Sequence, residues 1–370
     1  MKNKKTVKDI ISDNLIISVA LIVALVSVAF VPIDSKYISY YDTKTLISLI
    51  CVLTLVSAFK NINIFYIIAK KIVYYFKDIK YCILAIVCIT FIGSMVIAND
   101  MALITFLPLG YIILKTTKKE KYMAFTFIMQ NIAANLGGML TPFGNPQNLF
   151  LYNKFKIPNL IFIKIMAPPF IISIILIIIF CLIFVKKESI KLKYKKDKTN
   201  ILKATIYSIL FISTILIIFR IIPYRYGLII PVIVLLIDYK AVKNTDYSLI
   251  VIFFLFFTFA GNIARVDFIK TFLSILLTKN TLLFSTMLCQ FISNVPTAIL
   301  LSNFTTNYKD LLVGVNIGGV GTLIASLASL ITFREYIKHN PKKKLSYLIK
   351  FSLFNFLFLF ILILFMNIIK

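Results

Sequence analysis

Long apolar runs constrain the fold of this chain more than any other feature of its sequence. They cover residues 15–31, 161–185, 201–222, 249–263 with its flanks, and 348–369. About 18 apolar residues are enough for a helix to cross the hydrocarbon core of a bilayer. Hydrophobic residues make up 60% of the chain and charged residues only 15%, which is not the composition of soluble domains. The sequence therefore predicts an all-α polytopic membrane protein.

The lysines between these runs predict which loops face the cytoplasm. The formal net charge is +27, and the lysines cluster between apolar runs, as the positive-inside rule expects. We therefore interpret the charge as membrane topology, with the lipid bilayer as partner and no nucleic acid bound. The basic stretches that we place inside are residues 2–8, 60–80, 115–121, 186–200 and 338–344. The sparser stretches that we place outside are residues 32–43, 152–159, 220–226, 265–280 and 306–310. We expect a multi-pass protein of a bacterial cytoplasmic membrane, with its first span retained and its N-terminus in the cytoplasm.

Two apolar stretches begin and end on the same side of the membrane in this topology. The first covers residues 81–114 from the cytoplasmic side and is interrupted at Asn99-Asp100 and Pro108. The second covers residues 281–307 from the outer side and is interrupted at residues 293–297. Two full spans need on the order of 40 residues, more than the second stretch provides. We predict two re-entrant hairpins, whose tips must be buried in protein or line a wet cavity.

A broken transmembrane helix follows each hairpin, and the two breaks are similar in sequence. Residues 135–148 contain three Gly and two Pro, which no continuous helix tolerates. Laid without gaps against residues 316–330, residues 135–149 match at five of fifteen positions, which are Asn, Gly, Gly, Thr and Leu. Chance gives about one match over this length, so the chain contains an internal repeat.

The repeat divides the chain into two halves that we predict to be inverted relative to each other. Residues 1–185 hold the first span and repeat 1, with its cytoplasmic-side hairpin. Residues 186–200 form a basic cytoplasmic linker, and residues 201–370 hold linking spans and repeat 2, with its outer-side hairpin. Paired interrupted segments in an inverted repeat are typical of the midplane binding site of secondary transporters.

Polar residues and glycines at the tips and breaks are the candidate substrate- and ion-binding residues. Half-helix N-termini favour anionic or oxygen-rich solutes, whereas unwound carbonyls with Asn and Thr oxygens suit Na⁺, and the sequence does not divide these roles. The candidates are Asn99, Asp100, Asn135, Gly137, Gly138, Thr141, Asn145, Asn148, Ser293, Asn294, Thr297, Asn316, Gly318, Gly319, Thr322 and Ser326, with a Na⁺ site near Asn99, Asp100 and Asn135.

Two of these assignments have an alternative. Asp100 is the one carboxylate placed at membrane depth apart from span ends, so it is a proton carrier or cation ligand, or else a polar residue at a water-exposed hairpin end. The glycine pairs either line the site or let helices pack closely. No catalytic residue is expected, because the single histidine, His339, lies in a Lys-rich loop and no nucleotide-binding G-x-x-x-x-G-K-[ST] motif occurs.

Four motifs follow one another at the tips and breaks. They read ANDMAL at residues 98–103 with Pro108, TPFGNPQN at 141–148, SNVPT at 293–297, and ASLASL at 325–330. In these motifs the chain resembles the ion transporter superfamily, in particular the branch of arsenite/antimonite permeases and citrate-transporter-like proteins. The resemblance covers nearly the whole chain and implies a homodimer with elevator-like alternating access. Dicarboxylate members carry Ser-Asn-Thr at both tips, and the tips here are closer to the arsenite-permease pattern.

The sequence thus predicts a secondary active transporter for a small inorganic anion or metalloid oxyacid such as arsenite. No cofactor is expected beyond a coupling ion, H⁺ or Na⁺. The alternatives on the same fold are a sodium/proton antiporter, in which Asp100 binds the transported cation, and a citrate-like carboxylate transporter. The substrate, the coupling stoichiometry and any separate ATPase subunit stay open at this point.

Overall fold

The computed structural model describes residues 15–191 and 199–369, so the basic stretch at residues 2–8 and the central part of the linker at 186–200, residues 192–198, lie outside it. Within the described residues the chain forms helices and no β-strand, with one isolated bridge between Asp78 and Ser189. The α-helices are α1 (Leu15–Phe30), α2 (Thr43–Asn61), α3 (Ile64–Val73), α4 (Ile79–Ile97), α5 (Asn99–Thr116), α6 (Met123–Gly137), α7 (Pro146–Lys154), α8 (Asn159–Phe184), α9 (Ile201–Ile218), α10 (Ile229–Ile237), α11 (Tyr239–Lys243), α12 (Ser248–Ile263), α13 (Asp267–Ile292), α14 (Asn294–Leu301), α15 (Tyr308–Ile317), α16 (Leu327–His339) and α17 (Lys344–Ile368).

Six helices in the described ranges are long and apolar enough to cross a membrane. They are α2, α4, α8, α9, α13 and the segment Pro341–Ile368, which contains α17. Large apolar side chains such as Ile183, Leu236 and Phe360 are exposed by 69%, 81% and 61%, as on a surface that meets lipid. The prediction of an all-helical polytopic membrane protein is confirmed at this level.

Short polar residues fix where many of these helices begin. The Asp42 carboxylate accepts hydrogen bonds from the backbone N–H groups of Lys44 and Thr45 at the start of α2. The Asp78 carboxylate accepts one from Lys80 N at 2.8 Å at the start of α4. Such caps satisfy backbone donors that the first turn of a helix leaves free. The apolar runs therefore become helices with ends that the sequence itself sets.

The loops predicted to face the cytoplasm lie together at one end of the molecule. Glu188 binds Lys119, and also Lys121 and Tyr122 at 2.7 Å each. These partners lower the pKa of the Glu188 carboxyl to about 2, chiefly through the hydrogen bond from Lys119. Thr199 also donates to the backbone oxygen of Ile62 at 2.9 Å.

The loops predicted to face outside lie together at the other end. Arg265 forms a salt bridge with Asp34 at 2.7 Å. Arg220 donates to the backbone oxygen of Tyr152 at 2.6 Å. Lys154, which with Tyr152 lies in the last turn of α7, donates to Asn303 at 3.2 Å. Contacts within the described chain therefore group the loops into the two predicted sets, and the side of the membrane on which each end lies stays a prediction.

The order of elements is the same in the two halves. A long helix α2, a short helix α3, the helix pair α4–α5, the pair α6 and α7, and a long helix α8 follow one another in the first half. In the second half, a kink at Asn280, with φ −162° and ψ 91°, divides α13 into a short segment and the first arm of a helix pair. The second half then follows the same order. It consists of α12, the short first part of α13, the pair formed by the second part of α13 and α14, the pair α15 and α16, and the long helix α17.

Pro108 does not interrupt the first helix pair, contrary to the prediction. It lies inside α5, which runs on from Asn99 to Thr116. A proline removes only one backbone donor, and the packing of α5 against α4 and α6 holds the helix together around it.

Candidate functional site

The tips of the two helix pairs have the same backbone conformation. Ala98 joins α4 to α5 with φ 65° and ψ 155°, and Ser293 joins α13 to α14 with φ 76° and ψ 158°. The residue after each tip is an asparagine whose side-chain oxygen accepts a hydrogen bond from the following backbone N–H. Asp100 N donates to Asn99 Oδ1, and Val295 N donates to Asn294 Oδ1, both at 2.9 Å. Residues other than glycine rarely adopt this region, so both tips are strained and depend on their surroundings.

The two helix breaks are tied to these tips by matched hydrogen bonds. Helix α6 ends at Gly137 and α7 begins at Pro146, while α15 ends at Ile317 and α16 begins at Leu327. In the first break, the Thr141 hydroxyl donates to the backbone oxygen of Met95 at 2.8 Å. In the second break, the Thr322 hydroxyl donates to that of Gln290 at 2.9 Å. Both accepting carbonyls lie three residues before the strained tip residue.

Four helices begin at one small cavity of about 30 Å³ between the tips. The first residues of α5, α7, α14 and α16 all line it, and α12 covers it from the side. The lining includes Asn99, Asp100, Pro146, Gln147, Ser293, Asn294, Val295, Pro296 and Leu327. Helix N-termini present free N–H groups and the positive end of the helix dipole. The cavity is therefore suited to a small solute that carries negative charge or accepts hydrogen bonds.

A network of buried amides joins the two halves behind this cavity. Asn99 donates to the Asn135 side chain at 3.3 Å. Asn145 and Gln147 both donate to the Asn316 side-chain oxygen, at 3.1 and 3.4 Å. Asn316 in turn donates to the Asn148 side-chain oxygen at 2.6 Å. These side chains are all at most 4% exposed, so the network fixes the relative position of the two breaks.

Three buried oxygens at the site have no hydrogen-bond partner within residues 15–191 and 199–369. They are Asp100 Oδ1, Asn145 Oδ1 and Gln147 Oε1. Leaving a buried acceptor unpaired costs about 1–3 kcal/mol, and a bound water, ligand or ion can supply the missing partner. Gln147 lines the cavity between the tips. Asp100 and Asn145 line a second cavity of about 40 Å³, which also contains Asp246.

In each glycine pair, the first and the second glycine have different surroundings. A Cβ atom on Gly137 would lie 2.1 Å from the backbone oxygen of Phe91, and one on Gly318 would lie 2.9 Å from Cys289 Sγ, so both allow close helix packing. A Cβ on Gly138 would lie 2.4 Å from Asn145 Oδ1. On Gly319 it would lie 3.0 Å from Asn294 Nδ2 and 3.5 Å from Asn135 Oδ1, among the central amides.

The remaining predicted residues support the site from behind. Thr297 donates to the backbone oxygen of Ser293 at 2.7 Å and so closes the second tip. Ser326 accepts a hydrogen bond from Ser329 N and caps α16. Asn148 donates to three backbone oxygens of the first break, those of Gly138, Met139 and Thr141. Thr141 and Thr322 do not line either cavity.

Gln147 and Asp246 are cavity residues that the sequence analysis did not single out. Gln147 lies inside the TPFGNPQN motif, next to the predicted Asn148, so the motif itself carried the signal. Asp246 has no motif around it, and only the tertiary fold places it at the site. Among the described residues no group of three His, Cys, Asp or Glu side chains is placed to hold a metal ion.

The fold is that of a polytopic membrane protein with a buried polar cavity, and comparison with known proteins identifies the chain as a membrane transporter and shows its family. The citrate transporter family model matches residues 10–310, and the chain belongs to this family of the ion transporter superfamily. An uncharacterized transporter from Methanocaldococcus jannaschii is 35% identical over 297 residues, which are 79% of this chain and 81% of the relative. The inner membrane protein YbiR of Escherichia coli is 25% identical over 313 residues, 82% of this chain and 83% of the relative. A Dictyostelium discoideum transporter that bears the name arsB is 27% identical over 186 residues, 49% of this chain and 32% of the relative.

Proposed function

We propose that the chain is a secondary active transporter that moves a small inorganic anion or metalloid oxyacid, with Asp100 binding the coupling proton or Na⁺. The observation that carries this proposal is the convergence of four helix N-termini on one cavity between two strained tips. Four positive helix ends can bind an oxyanion without help from a lysine or arginine, and none of the described residues in the cavity wall is one. A cavity of about 30 Å³ suits a small solute better than a tricarboxylate.

The matched tips and breaks further support an inverted repeat with two re-entrant hairpins. The first hairpin would enter from the end that carries Lys119 and Glu188, and the second from the end that carries Lys154 and Asn303. In such a repeat, alternating access arises when one repeat or bundle moves against the other. The family resemblance adds the elevator-like motion and the homodimer to this proposal.

Charge gives a physical reason for coupling through Asp100. An ionised Asp100 in the cavity wall would repel an anionic substrate bound beside it. A proton or Na⁺ on Asp100 removes that repulsion, so the cation and the substrate bind together more strongly than either binds alone. This reasoning favours symport of the anion with the coupling cation.

A sodium/proton antiporter is the second candidate, and the unpartnered oxygens favour it. Asp100 Oδ1, Asn145 Oδ1 and Gln147 Oε1 are acceptors without a donor, as expected of cation ligands. In this alternative the cation itself is the cargo, and the helix N-termini only stabilise the tips.

Transport by purified protein in liposomes tests the proposal. Arsenite, phosphate, sulfate and citrate are each offered with an inward Na⁺ gradient, an inward proton gradient, or neither. The proposal predicts accumulation of an inorganic solute under one of the gradients. Accumulation of citrate alone would favour the carboxylate alternative. Exchange of Na⁺ for protons with no solute present would favour the antiporter.

A further inference from the structure

Asp246 lies on a different part of the molecule from Asp100. It joins α11 to α12, and its carboxylate caps α12 by accepting a hydrogen bond from Ser248 N at 3.0 Å. Helix α11 is fixed to α2 by the Ser57 hydroxyl, which donates to the backbone oxygen of Ala241 at 2.7 Å. Helix α12 packs on α1 through Asn262, which donates to Ser27 at 3.1 Å. Asp246 is therefore held by α1, α2 and α12, and not by the hairpin that carries Asp100.

The fold nevertheless places these two carboxylates on the wall of one cavity. The cavity of about 40 Å³ is lined by Asp100, Asn145 and Asp246, and otherwise mainly by apolar side chains. Among the residues that the structure describes, Asp100 and Asp246 are the only titratable ones in its wall. Lys240 and Lys243 precede Asp246 on α11, and neither lines the cavity.

Two of the polar side chains that line this cavity, Asp100 and Asn145, each carry a buried oxygen without a donor. Asn145 is 1% exposed, and its Oδ1 has no hydrogen-bond partner. Asp100 Oδ1 is buried and also lacks a partner. This cavity has room for a small ion, and oxygens alone are the ligands that hard cations prefer.

We propose that Asp246 is the second carboxylate of a monovalent cation site formed with Asp100 and Asn145. Asp100 and Asn145 contact the ion, and Asp246 raises the affinity of the site through its charge. The ion is Na⁺ or a proton carried on these carboxylates. This inference rests on the coupling role given to Asp100 in the proposed function, and it adds Asp246 to that role.

The exposed position of Asp246 also gives the site a route to water. Asp246 is exposed, whereas Asn145 is buried. Asp246 follows α11, and Asp238, which precedes α11, pairs with Lys203 at 3.2 Å. A cation arriving from this end would meet the exposed Asp246 before Asp100.

Thermal stability of the detergent-extracted full chain tests the site without knowledge of the substrate. Unfolding is followed for wild type, Asp246→Asn and Glu120→Gln in two series. One series varies Na⁺ at constant ionic strength with choline, and the other varies pH without Na⁺. Asparagine keeps the helix cap of Asp246 and removes only its charge. Glu120 is an exposed acid that does not line the cavity, so Glu120→Gln is the matched control.

We expect wild type and Glu120→Gln to be stabilised in one series with the same midpoint. In Asp246→Asn that midpoint should shift by about tenfold in Na⁺ concentration or about one pH unit, because a neighbouring charge changes binding by this order. Equal midpoints in Asp246→Asn and wild type, or no cation effect on wild type, would overturn the inference. Cation-dependent stability together with no transport of any solute tested would instead overturn the proposed function and leave this inference standing.

Discussion

Asn316 shows how single residues join the two halves of the site. Its side-chain oxygen accepts from Asn145 and Gln147, and its amide group donates to Asn148 and to the backbone oxygen of Leu312. Asn316 can be recognised from the sequence as a site residue, because the Asn-x-Gly-Gly pattern recurs in both halves. The pattern could not show that the residues of one half bond to those of the other, because that depends on the tertiary fold.

At the residue scale, Gly137 and Gly319 separate packing from a role in the site. Gly137→Ala should destabilise the protein by about 1–3 kcal/mol, because the new methyl group meets the Phe91 carbonyl. Gly319→Ala should fold almost normally but lose transport, because its methyl group lies beside the Asn294 and Asn135 amides. Thermal unfolding and liposome uptake measure the two effects. Full transport by Gly319→Ala would show that Gly319 serves packing alone.

At the element scale, the tips depend on a backbone conformation that cannot be predicted from the sequence. Ala98 and Ser293 both adopt positive φ, although neither is a glycine. The sequence indicated the breaks only through the polar residues that follow, and Pro108 was misleading. Asp246 could not be predicted at all, because one exposed aspartate at the start of an apolar helix is the ordinary pattern of a helix cap.

The strain at the first tip predicts the effect of glycine there. Ala98→Gly should stabilise the protein by about 1 kcal/mol, because glycine relieves strain of about 1–3 kcal/mol and loses about 0.5–1 kcal/mol in chain entropy. Ala102→Gly, inside α5, is the control and should be less stable than wild type. Unfolding of the extracted variants measures both changes. A loss of stability in Ala98→Gly as large as that in Ala102→Gly would contradict the strained tip.

At the scale of the whole molecule, the pattern of lysines predicted which loops lie together. Loops predicted to be on one side contact one another, as Glu188 with Lys119 and Arg265 with Asp34 show. The pattern succeeds because lysines follow a rule of insertion that does not depend on packing. The direction in which the molecule sits in the membrane remains a prediction.

Cysteine labelling determines this orientation. On a background with Cys51, Cys82, Cys88, Cys181 and Cys289 replaced by alanine, single cysteines are placed at the exposed positions Lys118, Lys187 and Lys309. A membrane-impermeant thiol reagent added to intact cells should label only position 309, and positions 118 and 187 should react after the cells are opened. Labelling of position 187 in intact cells would reverse the topology.

The most direct test of the coupling claim compares two kinds of transport by Asp100→Asn. Asparagine keeps the size and hydrogen bonding of Asp100 but cannot carry a proton or the charge that binds Na⁺. Counterflow exchange needs only a moving substrate site, whereas accumulation against a gradient needs the coupling ion. We predict that Asp100→Asn exchanges substrate, fails to accumulate it, and loses the dependence of transport on external pH or Na⁺. Accumulation equal to wild type under the same gradient would show that Asp100 is not the coupling residue.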